Sequence, residues 1–204
     1  MKRLREYIVI GESRQGNLQP TSSSEQGKFR PANTRELKRV IAQSIIEYGP
    51  NCDLNDIDVS GITDMSRLFE NSKFNGDISQ WDVSNVEDMS LMFYNSSFNG
   101  DISNWNVGSV KYMEYMFDQS KFNGDISQWD VSNVVNMSCM FHKSKFKGDI
   151  SGWNVRKVED MGSMFEDSKF KGDISKWNVS KVRSMYNMFK NSPLEGYKPR
   201  WYIG

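Results

Sequence analysis

The residues best suited to metal binding or catalysis are carboxylates that recur at a fixed spacing. An aspartate occurs every 24 residues, at Asp53, Asp77, Asp101, Asp125, Asp149 and Asp173. Aspartates in repeated turns bind Ca²⁺ in some repeat proteins, and the chain could accordingly be a metal-binding β-roll. The residues beside these aspartates are mostly glycine and isoleucine, which offer only backbone oxygens. We favour the alternative, in which each carboxylate accepts a backbone N–H bond in its own turn.

Two further polar sets recur with the same period. One set exchanges acid for amide, so it keeps an oxygen acceptor but not a charge, which argues against acid–base catalysis and predicts a polar ladder on the strand side. Its members are Asp58, Asp82, Asn106, Asp130, Asn154 and Asn178. The other set is a serine in every repeat. A serine nucleophile needs one special residue beside a base, so six equal serines predict buried hydroxyls bonded to the backbone. These serines are Ser72, Ser96, Ser120, Ser144, Ser168 and Ser192.

Nucleophile and metal chemistry have few other candidates. His142 is the only histidine, and its varied set of equivalents predicts a solvated surface residue. Cys52 and Cys139 are the only cysteines, too far apart along a repeat array to form a disulfide, and one histidine with two distant cysteines predicts no zinc site. The 12 methionines fall mostly beside phenylalanines, as in an ordinary core. We assign no catalytic, cofactor-binding or metal-ligating residue, and we expect a protein that is not an enzyme.

Composition excludes several other classes. The 204 residues contain 26 Lys or Arg and 26 Asp or Glu, and this zero net charge argues against nucleic-acid binding. No apolar run is long enough for membrane insertion. The start, MKRLREYIVIGES, has too short an apolar stretch for a secretory signal. We expect a cytoplasmic protein, the alternative being the cell surface by a non-classical route.

The fixed spacing reflects six consecutive 24-residue repeats, 53–76, 77–100, 101–124, 125–148, 149–172 and 173–196. We call a set of equivalent positions a column. Glycine closes every repeat, one methionine column and one phenylalanine column are complete, and five tryptophans share a column with Ile57. The segment FNGDISQWDVSNV occurs unchanged at 74–86 and 122–134, as expected of duplicated units.

Each repeat reads in two halves. Apolar and polar residues alternate over Gln80–Ser84, which predicts a short strand. Val86, Met89, Met92 and Phe93 have the spacing of one helical stripe. A single 24-residue unit buries too little to fold alone, so the repeats should stack. The sequence therefore predicts an α/β solenoid of six 24-residue coils, each with one short parallel strand and one short helix.

The repeat D-I-S-x-W-D-V-S-N-V-x-D-M-S-x-M-F-x-x-S-x-F-x-G resembles the short repeat of bacterial surface proteins, a domain family of unknown function related in pattern to BspA-like leucine-rich repeats. The resemblance covers residues 53–196. It implies a leucine-rich-repeat-like solenoid without catalytic residues. Members of the family are often exported and tied to adhesion, which gives an alternative function as an exported adhesin-like cell-surface protein.

A stack of repeats needs caps at its ends. The spacing predicts a helix over 33–48, within an N-terminal capping segment 29–52. Residues 1–28 read as a flexible leader. Residues 197–204 carry Trp201, Tyr202 and Ile203 and read as a C-terminal aromatic cap.

Function is then expected on the surface columns that vary between repeats. If the repeats stack in register, Leu91, Tyr94, Tyr112 and Tyr115 lie together and form an interaction patch. We expect a monomeric, non-enzymatic scaffold that binds a protein partner through these variable columns and needs no cofactor.

Overall fold

The computed structural model describes residues 28–203, so most of the predicted leader lies outside the described residues. One α-helix, α1 (Thr34–Tyr48), confirms the helix that the sequence predicts near the N-terminus. Asn33 caps it, since its side-chain oxygen accepts the backbone N–H of Glu36 at 3.0 Å. Gly49 ends it with φ of 85° and an N–H bond to the Ile45 carbonyl.

Helix α1 covers the outer side of the first repeat. Its buried face consists of Leu37, Val40, Ile41 and Ser44, while Ile45 is half-buried and Tyr48 is 40% exposed. The Thr34 hydroxyl donates to the Asp64 carbonyl at 2.7 Å. Beside the helix, Phe29 forms a parallel bridge with Ile57. The segment before the helix therefore pairs with the first repeat, at a position where the repeats do not bridge one another.

The secondary structure inside the repeats differs from the predicted strand and helix. No strand forms at Gln80–Ser84, and across residues 53–196 turns and isolated bridges replace the predicted helices. Parallel bridges occur instead in the second half of each repeat, along the column Asp64, Asp88, Tyr112, Asn136, Asp160 and Ser184.

Left-handed residues explain why the predicted helix does not form. In the second repeat Leu91 has φ of 57° and Asn95 has φ of 47°, a conformation that a continuous α-helix cannot contain. The chain instead makes overlapping turns, with Met92 N–H bonded to the Met89 carbonyl at 3.2 Å and Tyr94 N–H to that of Leu91 at 3.1 Å. Turns closed by i, i+3 hydrogen bonds bury apolar residues at the same spacing as a helix. The sequence pattern therefore could not distinguish these turns from a helix.

These turns free alternate N–H groups for bonding between repeats. In the second repeat the N–H groups of Met89, Leu91, Phe93 and Asn95 each donate to a carbonyl of the third repeat, at 2.8–3.0 Å. The same four bonds recur at every junction between repeats one and six, with lengths of 2.7–3.0 Å. Consecutive repeats therefore lie side by side, and these four bonds all run in one direction. A smaller set runs the opposite way, as from the Lys111 N–H to the Glu87 carbonyl at 2.8 Å.

Aromatic columns fill the interior. Phe93 lies between Phe69 and Phe117, with ring centroids 5.5 Å and 5.7 Å away. Each tryptophan of the column donates its indole N–H to a carbonyl in the repeat before it, as Trp105 does to Ile78 at 3.2 Å. The stacked phenylalanine rings and the indole hydrogen bonds both join successive repeats.

The closing glycine of each repeat has a steric cause. A Cβ on Gly100 would lie 2.8 Å from the ring of Phe98, and Gly124, Gly148 and Gly172 meet their own preceding phenylalanines in the same way. At Gly196 nothing lies within 4 Å, because Leu194 replaces the phenylalanine there. The phenylalanine therefore explains the closing glycine of repeats one to five, but not Gly196.

The C-terminal segment continues the repeat pattern as well as covering the last repeat. Trp201 follows Trp177 by 24 residues, stacks on it at 6.4 Å, and donates its indole N–H to the Ile174 carbonyl at 2.9 Å. Tyr202 packs edge-on against Phe189 at 5.0 Å. The segment predicted as an aromatic cap thus begins a seventh set of the same contacts.

Candidate interaction surface

Two columns of side chains form the outer surface of the turns, and we call this surface the turn face. The first left-handed residue of each repeat contributes one column: Arg67, Leu91, Tyr115, Cys139, Ser163 and Asn187. The second column, three residues later, is Glu70, Tyr94, Asp118, His142, Glu166 and Lys190. Neither column repeats one residue type, whereas the buried columns do. The side chains that distinguish one repeat from another are therefore concentrated on the turn face.

The four predicted patch residues differ in exposure, and Tyr112 lies outside the two columns of the turn face. Tyr112 and Tyr115 are 43% and 38% exposed, whereas Leu91 and Tyr94 are half-buried. Leu91 and Tyr115 occupy one column in adjacent repeats, and the Tyr94 hydroxyl accepts a bond from the Gln119 side chain at 3.2 Å. In the part of the chain that the structure describes, no ring contact joins the three tyrosines.

The surroundings of Tyr115 are partly polar and buried. The neighbouring Cys139 thiol, burial and the nearby carboxylates raise the pKa of Tyr115. Glu114 stands between the two exposed tyrosines, in a column that holds serine in three other repeats. Its Oε2 atom is buried and has no hydrogen-bond partner among residues 28–203. An unsatisfied acceptor of this kind opposes folding.

The sequence interpretation of His142 as a solvated surface residue is wrong. Its Nδ1 lies 2.9 Å from Oδ1 of Asp118 in the preceding repeat, and the two side chains are only 18% and 4% exposed. Burial raises the pKa of Asp118, while His142, Lys143 and Gln119 act in the opposite direction. A column that varies in residue type can still be buried, because the variation reflects a local pair and not solvent.

The same column continues as an ion pair. Glu166 accepts a bond from the Ser163 hydroxyl at 2.7 Å and lies 3.1 Å from the Lys190 ammonium. The Ser163 bond and the nearby Lys190 hold the pKa of Glu166 below its usual value. Polar side chains thus link repeats five and six on the turn face as main-chain bonds do beneath it.

Cys139, His142 and Asp118 have the residue types of a nucleophile, a base and an orienting carboxylate. Their arrangement does not favour that chemistry. Burial raises the pKa of the Cys139 thiol, which makes the thiolate scarcer at neutral pH. Within residues 28–203 His142 bonds to Asp118 and makes no hydrogen bond to the sulfur.

The repeated aspartates act inside their own turns, which confirms the prediction for them. Oδ1 of each accepts the N–H two residues later at 2.9 Å, as Asp125 does from Ser127. That bond lowers the pKa of five of them, Asp77, Asp101, Asp125, Asp149 and Asp173. Among the described residues no group of three His, Cys, Asp or Glu side chains is placed to hold a metal ion.

The serine column behaves as predicted. The mixed acid and amide column, predicted as a polar ladder on the strand side, accepts N–H groups in turns because no strand forms there. In the mixed acid and amide column, Asp82 accepts the N–H of Ser84 at 3.1 Å, and Asn106 accepts that of Gly108 at the same distance. In the serine column, the Ser96 hydroxyl accepts the N–H of Phe98 at 3.1 Å, and Ser96 is buried. Both columns therefore stabilise turns. Cys52 and Cys139 are free, as expected.

Sequence reasoning missed two features of the surface. Tyr186 and Tyr197, near the last repeat, are 76% and 85% exposed, more than any residue of the predicted patch. The second feature is the Asp118–His142 pair, whose 24-residue separation was a usable signal because equivalent positions of adjacent repeats touch.

No helix in residues 28–203 has the length and apolar character needed to cross a membrane.

Comparison with known proteins places the chain in a family. Comparisons with curated proteins and with solved structures found no match. The family model described as "Mycoplasma protein of unknown function, DUF285" matches residues 37–143 and 113–197. Those matches span nearly all of the capping helix and the repeats, and the chain therefore belongs to the DUF285 family.

Proposed function

We propose that the chain is a non-enzymatic scaffold for protein–protein interaction, built as a leucine-rich-repeat-like solenoid of bacterial surface-protein type. The repeated columns supply the core and the turn bonds, so the varied columns carry what is specific to this chain. The observation that supports the role best is the exposure of Tyr115 on the turn face and of Tyr112 three residues before it. Tyrosine combines large apolar area with a polar tip and is enriched among the residues that dominate binding energy.

The proposed contact is centred on Tyr112 and Tyr115, with Leu91 and Tyr94 at its edge. Leu91 adds apolar area in the same column as Tyr115. Tyr94 is held by Gln119, and a fixed ring loses little entropy on binding. The partner is a protein, and the scaffold acts as a monomer without a cofactor.

The test compares partner capture by the native chain and by Tyr112→Ala/Tyr115→Ala. Ile46→Ala, at a 79% exposed position on α1, is the matched control. Quantitative mass spectrometry of captured proteins should show a loss of at least about tenfold for the tyrosine variant, given the usual energy of such anchors. Near-UV circular dichroism checks that each variant is folded. Equal recovery by the tyrosine variant and the control would refute the proposed contact.

Location is a separate question. We propose the cytoplasm, and an adhesin-like protein on the cell surface is the alternative. Mild protease treatment of intact producing cells distinguishes them, because only a surface protein is digested before lysis. Digestion of the chain in intact cells, with a cytoplasmic marker protected, would favour the adhesin-like function.

A further inference from the structure

The last repeat has main-chain N–H donors whose equivalents in every earlier repeat bond to the following repeat. Met185, Asn187 and Phe189 are the equivalents of Met89, Leu91 and Phe93, and Asn187 has the same left-handed φ of 55°. In repeats one to five these N–H groups bond to the next repeat. Within residues 28–203 those of Met185, Asn187 and Phe189 have no acceptor. We call these three groups the donor edge.

The fold itself shows what such a donor accepts. The fourth N–H of the set, that of Asn191, bonds to Oε2 of Glu195 at 2.9 Å. At the equivalent position of the second repeat, Asn95 bonds to the Asp118 carbonyl at 2.8 Å. A carboxylate therefore replaces the missing carbonyl at one end of the row. Successive N–H groups that point the same way attract anionic and carbonyl oxygens in general.

An apolar recess adjoins the donor edge. It has a volume of about 490 Å³, and Val179, Val182, Met185, Trp201 and Ile203 supply its apolar lining. The equivalents of Val179, Val182 and Met185 in repeats two to five are at most 1% exposed, whereas these three are half-buried. Beside the recess Tyr186 and Ile203 are 76% and 92% exposed.

Charge at this end selects for acidic ligands. Residues 173–203 contain six Lys or Arg and only two Asp or Glu. One of the two acids, Glu195, already accepts from the main chain. Lys181 and Arg200 are exposed, and their neighbours Val182 and Trp201 line the recess. The first two repeats, by contrast, contain nine Asp or Glu and two Lys or Arg.

We propose that the donor edge and its recess bind an extended, acidic polypeptide segment of a partner protein. Main-chain carbonyls of the segment accept the three N–H groups, its apolar side chains enter the recess, and its carboxylates face Lys181 and Arg200. This is strand addition at an open edge, a common mode of peptide recognition. The inference rests on the proposed role as an interaction scaffold and identifies a second contact, separate from Tyr112 and Tyr115.

The chain supplies its own probe for the test. Residues 158–167, VEDMGSMFED, contain four acidic side chains. Their carbonyls accept the N–H groups of Met137, Cys139, Phe141 and Lys143 at 2.9–3.0 Å. An acetylated and amidated peptide of this sequence, titrated into the full ¹⁵N-labelled chain, should shift the amide signals of Met185, Asn187 and Phe189 in a saturable manner. A peptide with its four acids replaced by glutamine should bind at least tenfold more weakly.

Variants decide whether the basic residues matter. Lys181→Glu/Arg200→Glu should weaken binding of the acidic peptide at least tenfold, whereas Lys121→Glu/Lys145→Glu, at exposed positions elsewhere, should leave it within twofold. Both variants change only exposed side chains, and circular dichroism checks their fold. Unshifted donor-edge amides, or equal binding by both variants, would overturn the proposal. Concentration-dependent broadening of these amides without peptide would instead assign the edge to a second copy.

The outcome is separable from that of the proposed function. Tyr112→Ala/Tyr115→Ala should bind the acidic peptide as the native chain does, because the tyrosines lie in the third repeat. Loss of partner capture by the tyrosine variant with no peptide binding would leave the turn face in place and remove the donor edge. The converse result would keep the donor edge and remove the tyrosine contact.

Discussion

Replacing His142 by alanine is expected to destabilise the chain in a pH-dependent way. Asp118, whose side chain is 4% exposed, would lose the imidazole 2.9 Å away. Leaving a buried charged group without its partner typically costs about 3–5 kcal/mol. Gln119 and Lys143 still stabilise the carboxylate, so we expect about 2–3 kcal/mol at pH 7.5, below the usual range.

The pH dependence follows from the direction of the Asp118 shift. Burial raises the pKa of this carboxyl above its usual 3.8. As pH falls through the folded-state pKa, Asp118 takes up a proton in the native protein and no longer carries a buried charge. The cost of His142→Ala should therefore be largest near neutrality and shrink on acidification toward pH 4.5.

The assay is urea unfolding followed by tryptophan fluorescence, at pH values between 4.5 and 7.5. Asp118→Asn is the matched variant, because its amide oxygen still accepts a bond from Nδ1–H while the buried charge is gone. The double variant should be more stable at pH 7.5 than His142→Ala alone, since no carboxylate is left unpaired. A pH-independent loss in His142→Ala, or a double variant whose losses simply add, would refute the reasoning.

Three other substitutions test separate features of the fold. Glu114→Ser removes the buried oxygen without a partner and should stabilise the chain by about 1 kcal/mol in urea unfolding; a loss would contradict this. Gly76→Ala would drive a Cβ into the Cys52 carbonyl oxygen and should lower Tm strongly, whereas Gly61→Ala, with nothing within 4 Å, should not. Asp125→Asn keeps the turn acceptor but removes a carboxylate whose pKa is lowered by the Ser127 N–H. Such a carboxylate stabilises the fold above its unfolded pKa and loses that effect as pH falls. Native chain and variant should thus differ most in Tm at pH 7 and least below pH 4.

The core and the turn acceptors could be predicted because each occupies a column. Six equivalent positions report one environment, so the methionine, phenylalanine and aspartate columns read as buried or turn-forming from the sequence alone. Capping by α1 was equally accessible, since Asn33 and Glu36 have the spacing of a helix start and Leu37, Val40 and Ile41 form one stripe.

The turn conformation could not be predicted from the same columns. Leucine at position 91 and tyrosine at position 115 are poor candidates for left-handed φ, yet both adopt 57°. Each pays a local cost, of order 1 kcal/mol, that the bonds to the next repeat offset. That compensation is a property of the assembled repeats and leaves no trace in the residue types. The sequence therefore indicated a helix where the structure has turns.

The varied columns were hardest to interpret for a related reason. Variation between repeats suggested solvent, and for Tyr112 the structure agrees, with 43% exposure. Asp118 and His142 are as variable but form a buried pair. Residue type alone does not distinguish an exposed specific side chain from a buried specific pair. Testing each residue against its equivalent 24 positions away would have found this one.

The direction of the main-chain bonds makes the two ends of the repeats chemically unequal. In ordinary sheets N–H and C=O groups alternate along an edge, and the strand dipoles nearly cancel. Here the left-handed residues turn the N–H groups of alternate residues toward the following repeat. Along Met89 to Asn95 and the equivalent segments, donors therefore point to one end and acceptors to the other. Side-chain charge has the same sense, because the acidic repeats one and two lie at the acceptor end and basic repeat six at the donor end.

The two ends are also finished differently. At the acceptor end the Thr34 hydroxyl donates to the Asp64 carbonyl, and α1 covers the apolar surface. At the donor end Glu195 meets one N–H group of four, and the aromatic segment leaves a recess beside the others. Because main chain and side chains there are positive together, an acidic ligand gains from both, and a basic one is opposed by both. The same conformation that joins the repeats therefore determines which end of the array can bind and the charge of what it binds.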